Sequence, residues 1–480
     1  MKKGSLLIKN ADYVVTCDSQ DRVFEKADVL IDDEKIVAVR GQRYWQAAGI
    51  TSVGSDERKI VNCPDDDEEW QANEVIDARG MIIYPGLVNT HHHFYQIFTR
   101  NIGAVQNLEL FPWLKYLYEI WKNLNEETVH YSTLTALGEL LLTGCTTAVD
   151  HHYVFPEGAG LLIDRQFEAA SLIGARMVAT RGSMDLSVKD GGLPPDSVVQ
   201  SVDEIMKDSI DLIDKYHDTS FRSKRRIALA PCSPFSVSED LLRESAILAR
   251  EKGVRLHTHL CETKDEENYM LEREGIRPLA YMERVGWIGD DVWYAHGIHF
   301  NDEELKLLAD TGTGVCHCPI SNMKLSSGIA RIPEMLEMNI PVGLGVDGSA
   351  SNDGSDMLEE LRVGFLLHRL NSSRLAPTGY DMLKIATKGS ARLLGRDKEI
   401  GSLEVGKCAD FFMVDSGRLE LVGACYDPKS VLGTVGLRGA VDYTVIDGEV
   451  TVEHGAITGI DEEKVVSDSN KELGRYLASV

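Results

Sequence analysis

Histidines stand near the ends of several short apolar segments, where their spacing is suited to metal chemistry. His91 and His93 end MIIYPGLVNTHHH, His259 lies near the end of VRLHTHL, His296 lies in YAHGIH, and Asp347 ends VGLGVD. Successive side chains of a strand point to opposite faces, so His91 and His93 share a face and His92 lies on the other. Imidazole nitrogens with one carboxylate are ligands for Zn²⁺ or Fe²⁺, and a set that leaves one position open for water is typical of a catalytic site.

The alternative is that these histidines only pack the protein interior. A single histidine on a strand is more often a core or rim residue than a ligand. Four such residues at the ends of the first, fifth, sixth and eighth predicted strands weigh against coincidence. For His92, His257 and His299, which neighbour the chosen ligands, a structural role remains favoured. The CHC segment at 316–318 has no second CxC or CxxC to complete a zinc site, so we interpret Cys316 and Cys318 as packing residues.

Short strands alternating with helices would bring such distant residues together. From 81 to 400 the chain repeats this alternation, which is typical of a (β/α)₈ TIM-type barrel in the α/β class. Catalytic residues of a barrel come from the carboxyl ends of different strands, so the histidines and Asp347 are predicted to meet at one mouth. Segments 1–80 and 401–480 are rich in short Val and Ile runs, with Asp447-Gly448 as a hairpin turn, and predict a composite β-sandwich domain of antiparallel strands. The acidic insertion at 41–73 is predicted to be a solvated loop of that domain.

Composition excludes two classes of partner. The chain has 50 Lys and Arg against 76 Asp and Glu, a net charge of −26, which disfavours a nucleic-acid polymer or an anionic membrane. No apolar run reaches the roughly 18 residues of a membrane span, and Lys9, Asn10 and Asp12 interrupt the first apolar stretch, so no secretory signal is predicted. Nine cysteines at irregular spacing indicate reduced thiols. We therefore expect a cytoplasmic protein that binds a small molecule.

The motifs resemble those of the amidohydrolase superfamily, in its branch of nucleobase and cyclic amidine deaminases. The segments that carry the resemblance are PGLVNTHHH (85–93), HLCET (259–263), AHGIH (295–299), HCPISNMKL (317–325), GVDGSASND (345–353) and GSLEVGKCADFFMVD near the C-terminus. The resemblance covers nearly the whole chain. It implies a (β/α)₈ barrel with a composite β-domain, and an enzyme that hydrolyses C–N bonds of cyclic amidines with a bound zinc ion.

The resemblance also implies a role for each motif residue. His91, His93, His259 and Asp347 would hold one Zn²⁺, with Fe²⁺ as a possible substitute, because no lysine ends TTAVD where two-metal members carry a bridging lysine. The catalytic residues would be Glu262 as proton shuttle, His296 beside the hydrolytic water and Asp347 as acceptor of the water proton. From the residues alone, Glu262 could instead form a surface salt bridge within ETKDEEN.

Four further residues are candidates for substrate binding. Gln96 offers a donor and an acceptor to the lactam edge of a flat heterocycle. Trp113 either walls the pocket or belongs to an ordinary helix core, and both readings stay open. His152 is a candidate pocket residue, and Asn322 is expected to shape its loop and touch substrate. Arg100 is expected to pair with a carboxylate rather than with the ligand.

The substrate expectation rests on resemblance in the pocket segments. HHHFYQIFTRN, LFPWLKYLYEIW, DHHYVFP and APCSPFSVS are most similar to branch members that deaminate 8-oxoguanine to urate and ammonia. Gln96 and Cys232 stand where other members often carry Met and His, so guanine, isoxanthopterin and hydroxytriazines remain alternative substrates. A catalytically silent scaffold is the alternative of another class. A homo-oligomer is expected in either case.

Overall fold

Seventeen strands in two sheets organise the part of the protein that the structure describes. The computed structural model describes residues 2–44 and 69–479. The strands are β1 (Lys2–Val15), β2 (Val23–Asp32), β3 (Lys35–Tyr44), β4 (Trp70–Asp77), β5 (Met81–Pro85), β6 (Leu87–Asn89), β7 (Cys145–Asp150), β8 (Arg176–Ser183), β9 (Arg225–Pro231), β10 (Arg255–Leu260), β11 (Val292–His296), β12 (Gly314–His317), β13 (Val342–Leu344), β14 (Phe411–Asp415), β15 (Tyr443–Ile446), β16 (Glu449–Glu453) and β17 (Ala456–Ile457).

Strands β6 to β13 close into a parallel eight-stranded barrel in chain order. Every residue of β7 and β8 is buried, as expected for parallel strands that are covered on both faces. The predicted (β/α)₈ barrel is thereby confirmed. All eight carboxyl ends lie at the same mouth, so polar residues at the strand ends converge there.

Helices pack around this barrel and bury the outer faces of its strands. They are α1 (Leu110–Trp121), α2 (Glu126–Leu142), α3 (Leu162–Leu172), α4 (Val202–Tyr216), α5 (Glu239–Lys252), α6 (Lys264–Glu274), α7 (Pro278–Arg284), α8 (Asp302–Thr311), α9 (Pro319–Lys324), α10 (Ile332–Glu337), α11 (Ser349–Asn352), α12 (Met357–Ser372), α13 (Gly379–Lys384), α14 (Ser390–Leu393), α15 (Val431–Thr434) and α16 (Glu462–Ala478). Local sequence sets their ends: the Ser238 hydroxyl caps α5, which stops at Gly253 with φ 69°. None of the helices in the described ranges has the length and apolar character that a bilayer span requires.

The two terminal regions together form one mixed nine-stranded sheet, which confirms the composite β-domain. β5 joins the halves, because it pairs with β1 on one side and with β14 on the other. The prediction of antiparallel strands alone was wrong: β4 and β5 run parallel to β1. The reason is that the chain completes the β2–β3 hairpin and then returns to the opposite edge of β1.

Two boundaries differ from the expected ones. Residues 81–85 form β5 of the mixed sheet, and the barrel begins with β6 at Leu87. The two ends of the predicted loop at 41–73 are strand, because β3 continues to Tyr44 and β4 begins at Trp70. Residues 45–68, with most of the acidic run, lie outside the described residues.

Candidate metal centre and active site

The carboxyl ends of β6, β10 and β13 bring three imidazoles and a carboxylate together. His91 and His93 follow β6, His259 lies in β10, and Asp347 follows β13. The His93 and His259 Nε2 atoms are 3.1 Å apart. Oδ1 of Asp347 lies 3.3 Å from Nε2 of His91 and 3.2 Å from Nε2 of His93. All four side chains are buried.

Backbone carbonyls assign the protons of two of these imidazoles. Nδ1 of His93 lies 2.6 Å from the His151 carbonyl oxygen, and Nδ1 of His259 lies 2.6 Å from that of Cys232. A carbonyl only accepts, so each Nδ1 carries the proton and donates it. Both Nε2 atoms therefore present lone pairs, which face each other beside the carboxylate of Asp347. Such buried electron pairs repel one another, and a divalent cation between them relieves the repulsion, so the donor set fits a metal such as zinc.

His257 fixes the third imidazole, although the sequence favoured a structural role for it. Nδ1 of His257 donates to the Trp293 carbonyl oxygen at 2.9 Å, which leaves Nε2 of His257 as an acceptor. Nδ1 of His91 lies 2.8 Å from that acceptor and must donate. Nε2 of His91, buried and without a hydrogen-bond partner in the described part of the chain, is thereby left as a lone pair aimed at the cluster. The signal in the sequence was alternation, since residues 257 and 259 share a strand face.

Ligand atoms in this mouth form two overlapping groups whose members lie within 4.8 Å of one another. One contains His91, His93, His151 and His259, and the other contains His91, His259, His296 and Asp347. His151 donates from Nε2 to the Ala230 carbonyl oxygen at 2.9 Å. The described residues thus offer five imidazoles, whereas the expected ligand set contains three.

Glu262 and His296 form a second pair beside the cluster. Oε2 of Glu262 lies 3.4 Å from Nε2 of His296, and the Ser327 hydroxyl donates to Oε1 of Glu262 at 3.2 Å. Burial raises the pKa of Glu262. Burial lowers the pKa of His296, but the carboxylates of Glu262 and Asp347 outweigh it, so its pKa is raised. The two side chains are therefore arranged to share one proton. Glu262 is 4% exposed, which is incompatible with a solvated salt bridge.

A small cavity opens onto both groups. Apolar and aromatic side chains form part of its lining beside the ligand atoms, as is typical of pockets for small heterocycles. The lining residues are His93, Gln96, Leu110, Trp113, Leu114, Tyr153, Cys232, Phe235, His259, Glu262, His296, Leu325, Asp347 and Ser351.

Gln96 and Trp113 are the two predicted substrate residues that line this cavity. Oε1 of Gln96 accepts from the Ala350 amide at 3.4 Å. A Cβ on Gly348 would lie 1.9 Å from that oxygen, so only glycine leaves room for the Gln96 amide. The indole nitrogen of Trp113 is buried without a hydrogen-bond partner among the described residues. Packing in a helix core does not account for this unpaired N–H.

His152 and Asn322, the other two, do not line the cavity. Nδ1 of His152 lies 3.5 Å from the amide nitrogen of Gln166, and its ring packs against Tyr95. Oδ1 of Asn322 lies 2.8 Å from Nδ1 of His296 and accepts a hydrogen bond from it. Their contact with substrate stays a prediction. Arg100 makes two hydrogen bonds to Glu139, at 2.8 and 3.0 Å, as expected for a paired arginine.

Several lining residues were not singled out in the sequence. Tyr153 follows His152 shortly after the end of β7, so its place near the mouth could have been predicted from the strand end. Phe235 and Leu325 lie in connections after β9 and α9, within the segments APCSPFSVS and HCPISNMKL, but nothing in those segments marks either residue as part of the lining. Their place in the cavity depends on tertiary packing.

Comparison with known proteins decides the family. Residues 82–451 match the model of the Amidohydrolase family. The chain belongs to the amidohydrolase family. The resemblance stated from the motifs is thereby confirmed.

Relatives of this amidohydrolase act on several heterocycles. It is 49% identical to 8-oxoguanine deaminase of Pseudomonas aeruginosa over 385 residues, 80% of this chain and 85% of the relative. It is 39% identical to hydroxydechloroatrazine ethylaminohydrolase of Pseudomonas sp. strain ADP over 470 residues, 97% of this chain and 94% of that one. Isoxanthopterin deaminase from an unknown prokaryotic organism is 33% identical over 85% of this chain and 88% of its own.

Solved structures share the fold and hold zinc. An atrazine chlorohydrolase from Arthrobacter aurescens TC1, complexed with zinc, superposes on this amidohydrolase with a TM-score of 0.88 at 33% identity, covering 98% of this chain and all of the other. An adenosine deaminase from Xanthomonas campestris with bound zinc has a TM-score of 0.85 at 26% identity, over 99% of both chains. Together with the histidine cluster, these neighbours support a divalent metal in this mouth.

Proposed function

We propose that this amidohydrolase removes the exocyclic amino group of a purine-like base by hydrolysis, with 8-oxoguanine as substrate and urate and ammonia as products. The observation that carries the proposal is the buried Glu262–His296 pair beside a cluster of imidazoles and a carboxylate that could hold a metal ion. A catalytically silent scaffold has no need of such a pair. The 49% identity to an 8-oxoguanine deaminase supports the choice of substrate.

We further propose that one Zn²⁺ is held by His91, His93, His259 and Asp347. The three imidazoles present lone pairs, and the hydrogen bonds described above fix their orientation. When bound, such an ion lowers the pKa of a coordinated water from about 15.7 toward about 7 and so supplies the nucleophile. Zinc-containing neighbours support the identity of the ion.

The side chains of this mouth then divide the proton transfers. Asp347 takes a proton from the attacking water, and Ser321, whose hydroxyl donates to Oδ2 at 2.5 Å, holds that carboxylate in place. Glu262, which is buried beside His296 and lines the cavity, delivers a proton to the ring nitrogen beside the attacked carbon. His296 is held by Asn322 and exchanges protons with Glu262. Asp347 passes the proton it took from water to the leaving amine, which departs as ammonia. The hydroxyl group left on the ring gives its proton back to Glu262 as it becomes the carbonyl.

Unpaired polar groups of the cavity account for recognition of a lactam. The buried indole N–H of Trp113 requires an acceptor, and a ring carbonyl oxygen supplies one. The Gln96 amide, which lines the same cavity, presents a donor. An analogue without the second carbonyl would leave a donor unsatisfied, and discrimination of that kind can reach about 10⁴-fold.

A hydroxytriazine is the second candidate substrate. The 39% identity to a hydroxydechloroatrazine ethylaminohydrolase extends over 97% of this chain, a longer match than that to the 8-oxoguanine deaminase. The same residues would then release an alkylamine in place of ammonia.

Release of ammonia or amine from a panel of compounds tests the proposal. The panel contains 8-oxoguanine, guanine, isoxanthopterin, cytosine and a hydroxytriazine, each with the zinc-loaded protein. We expect the highest kcat/KM on 8-oxoguanine. Faster turnover of guanine would overturn the substrate and leave the reaction standing, whereas faster turnover of the triazine would favour the second candidate. Metal-loaded protein that is inactive on every compound would overturn the proposed function.

A further inference from the structure

A second buried carboxylate lies behind Glu262. Glu266 is the third residue of α6 and is fully buried. Its two oxygens accept from consecutive backbone amides: Oε1 from Cys261 at 2.9 Å and Oε2 from Glu262 at 3.0 Å. Glu266 does not line the cavity, so it would not contact a substrate bound there.

The backbone at this point has an unusual conformation. Cys261 has φ +53°, in the left-handed region that few residues other than glycine adopt. The bond geometry points the amides of Cys261 and Glu262 toward the same carboxylate. Without an acceptor there, two buried donors would be unsatisfied. The carboxylate of Glu266 therefore stabilises the turn from which the Glu262 side chain leaves the backbone.

The same turn is hydrogen bonded to the segment that carries His296. The Leu260 carbonyl accepts from Gly297 at 3.1 Å, and the Cys261 carbonyl accepts from Ile298 at 2.9 Å. Glu262 is thus held on one side by Glu266 and on the other by residues next to His296. Its side chain ends 3.4 Å from Nε2 of His296 as a result.

We propose that Glu266 is a positioning residue for the proton shuttle: by accepting both amides of the turn, it sets the distance and angle between Glu262 and His296. The inference rests on the proposed function, in which Glu262 moves the proton. Glu266 acts only through Glu262 and the turn, and it exchanges no proton with substrate.

Replacing Glu266 by glutamine tests the inference, because the amide keeps one acceptor oxygen and turns an NH₂ group toward the other backbone N–H. A misplacement of about 1 Å can cost about a hundredfold in rate. We therefore expect the kcat of Glu266→Gln to fall by about tenfold to a hundredfold. We expect KM and zinc content to stay close to those of the wild type. Glu204 provides the matched control: it is the third residue of α4, and its Oε2 accepts from the Ser201 amide at 2.9 Å. We expect the kcat of Glu204→Gln to remain near that of the wild type.

A double substitution separates positioning from a general structural role. In a Glu262→Gln background the shuttle is already lost, so adding Glu266→Gln should lower kcat no further. Equal losses in both backgrounds would overturn the inference, as would a Glu266→Gln protein with wild-type kcat. Should Glu266→Gln lose its metal or its cooperative unfolding, Glu266→Asp, which keeps the charge on a shorter side chain, is assayed by the same comparison.

Hydrogen exchange supplies a readout that does not depend on substrate. In the metal-loaded protein, we expect the amides of Cys261 and Glu262 to exchange faster in Glu266→Gln than in the wild type, and to be unchanged in Glu204→Gln. Unchanged exchange in a peptide covering 260–263 would overturn the inference that Glu266 holds this turn. If the wild type were inactive on the whole panel, the proposed function would fail, and the exchange measurement would still decide whether Glu266 holds the turn.

Discussion

Hydrogen bonds to the far nitrogen of each imidazole decide which atoms can bind a cation. His93 and His259 donate from Nδ1 to backbone carbonyls, whereas His91 donates to the side chain of His257. A backbone carbonyl cannot be changed by substitution, but His257 can. The His257–His91 hydrogen bond is therefore the one of these three that a side-chain substitution can remove.

Replacing His257 by leucine should weaken metal binding while leaving all four expected ligands in place. Loss of such an outer partner typically costs about 10-fold to 100-fold in metal affinity. Competition with a fluorescent chelator measures the affinity. His217→Gln is the control, because His217 bonds to Ile227 instead of a ligand. Equal zinc affinity in the wild type and His257→Leu would show that His91 keeps its orientation unaided.

Glu262→Gln should retain the metal and lose activity. The amide occupies the same space but cannot carry a proton, so we expect kcat to fall about a hundredfold or more. Zinc content by elemental analysis and kcat from ammonia release are measured on the same sample. A variant that keeps more than about a tenth of the wild-type kcat would point to another acid, and His296 would be the next candidate.

The arrangement of strands explains which residues could be located from the sequence. Alternation paired His91 with His93 and placed Asp347 at a strand end, and the structure brings these side chains together. Asn322 could not be placed, because its contact with His296 depends on the short helix α9 and not on a strand register. Likewise MIIYPGLVN is one apolar run, and its division into β5 and β6 depends on pairing with β14.

The first turn of α6 should impart a pH dependence on stability. Burial raises the pKa of Glu266 to about 7 in the folded protein, above the ordinary value that applies after unfolding. Between about pH 4.5 and 7 the folded state therefore binds more protons, and this residue's contribution to stability falls as the pH rises. We expect the difference in Tm between wild type and Glu266→Gln to decrease across that window by calorimetry. A difference independent of pH would show that Glu266 is ionised throughout.

For the whole molecule, metal binding and folding should be coupled. The lone pairs at the mouth come from β6, β10 and β13, so a cation there joins distant parts of the barrel. Removing it by dialysis against a chelator should lower Tm, because a ligand at about 1,000 times its Kd stabilises the folded state by about 4 kcal/mol. Restored Tm on adding Zn²⁺, but not Mg²⁺, would support the ligand set. An unchanged Tm after complete removal would contradict it.

A buried ion cluster joins the barrel to the terminal sheet. The Arg176 guanidinium, at the start of β8, pairs with Asp410 and Asp447, and all three side chains are buried. Breaking such a cluster from one side leaves uncompensated charge, at a cost of about 3–5 kcal/mol. We expect Arg176→Met to lower Tm in calorimetry while zinc content and KM stay near wild type. Unchanged Tm would show that the carboxylates take up protons or water at no net cost.

The pairing of β5 with β14 has a consequence for synthesis on the ribosome. Strand β5 lies between β1 and β14, and Pro85 pairs with Phe411. At about 5–20 residues per second, the emerging amino-terminal strands must wait tens of seconds for that neighbour. During this interval the edge of β5 is an unpaired apolar template that another nascent chain can join. The amino-terminal hairpins are thus made first and completed last, and chaperone binding during translation should concentrate on them.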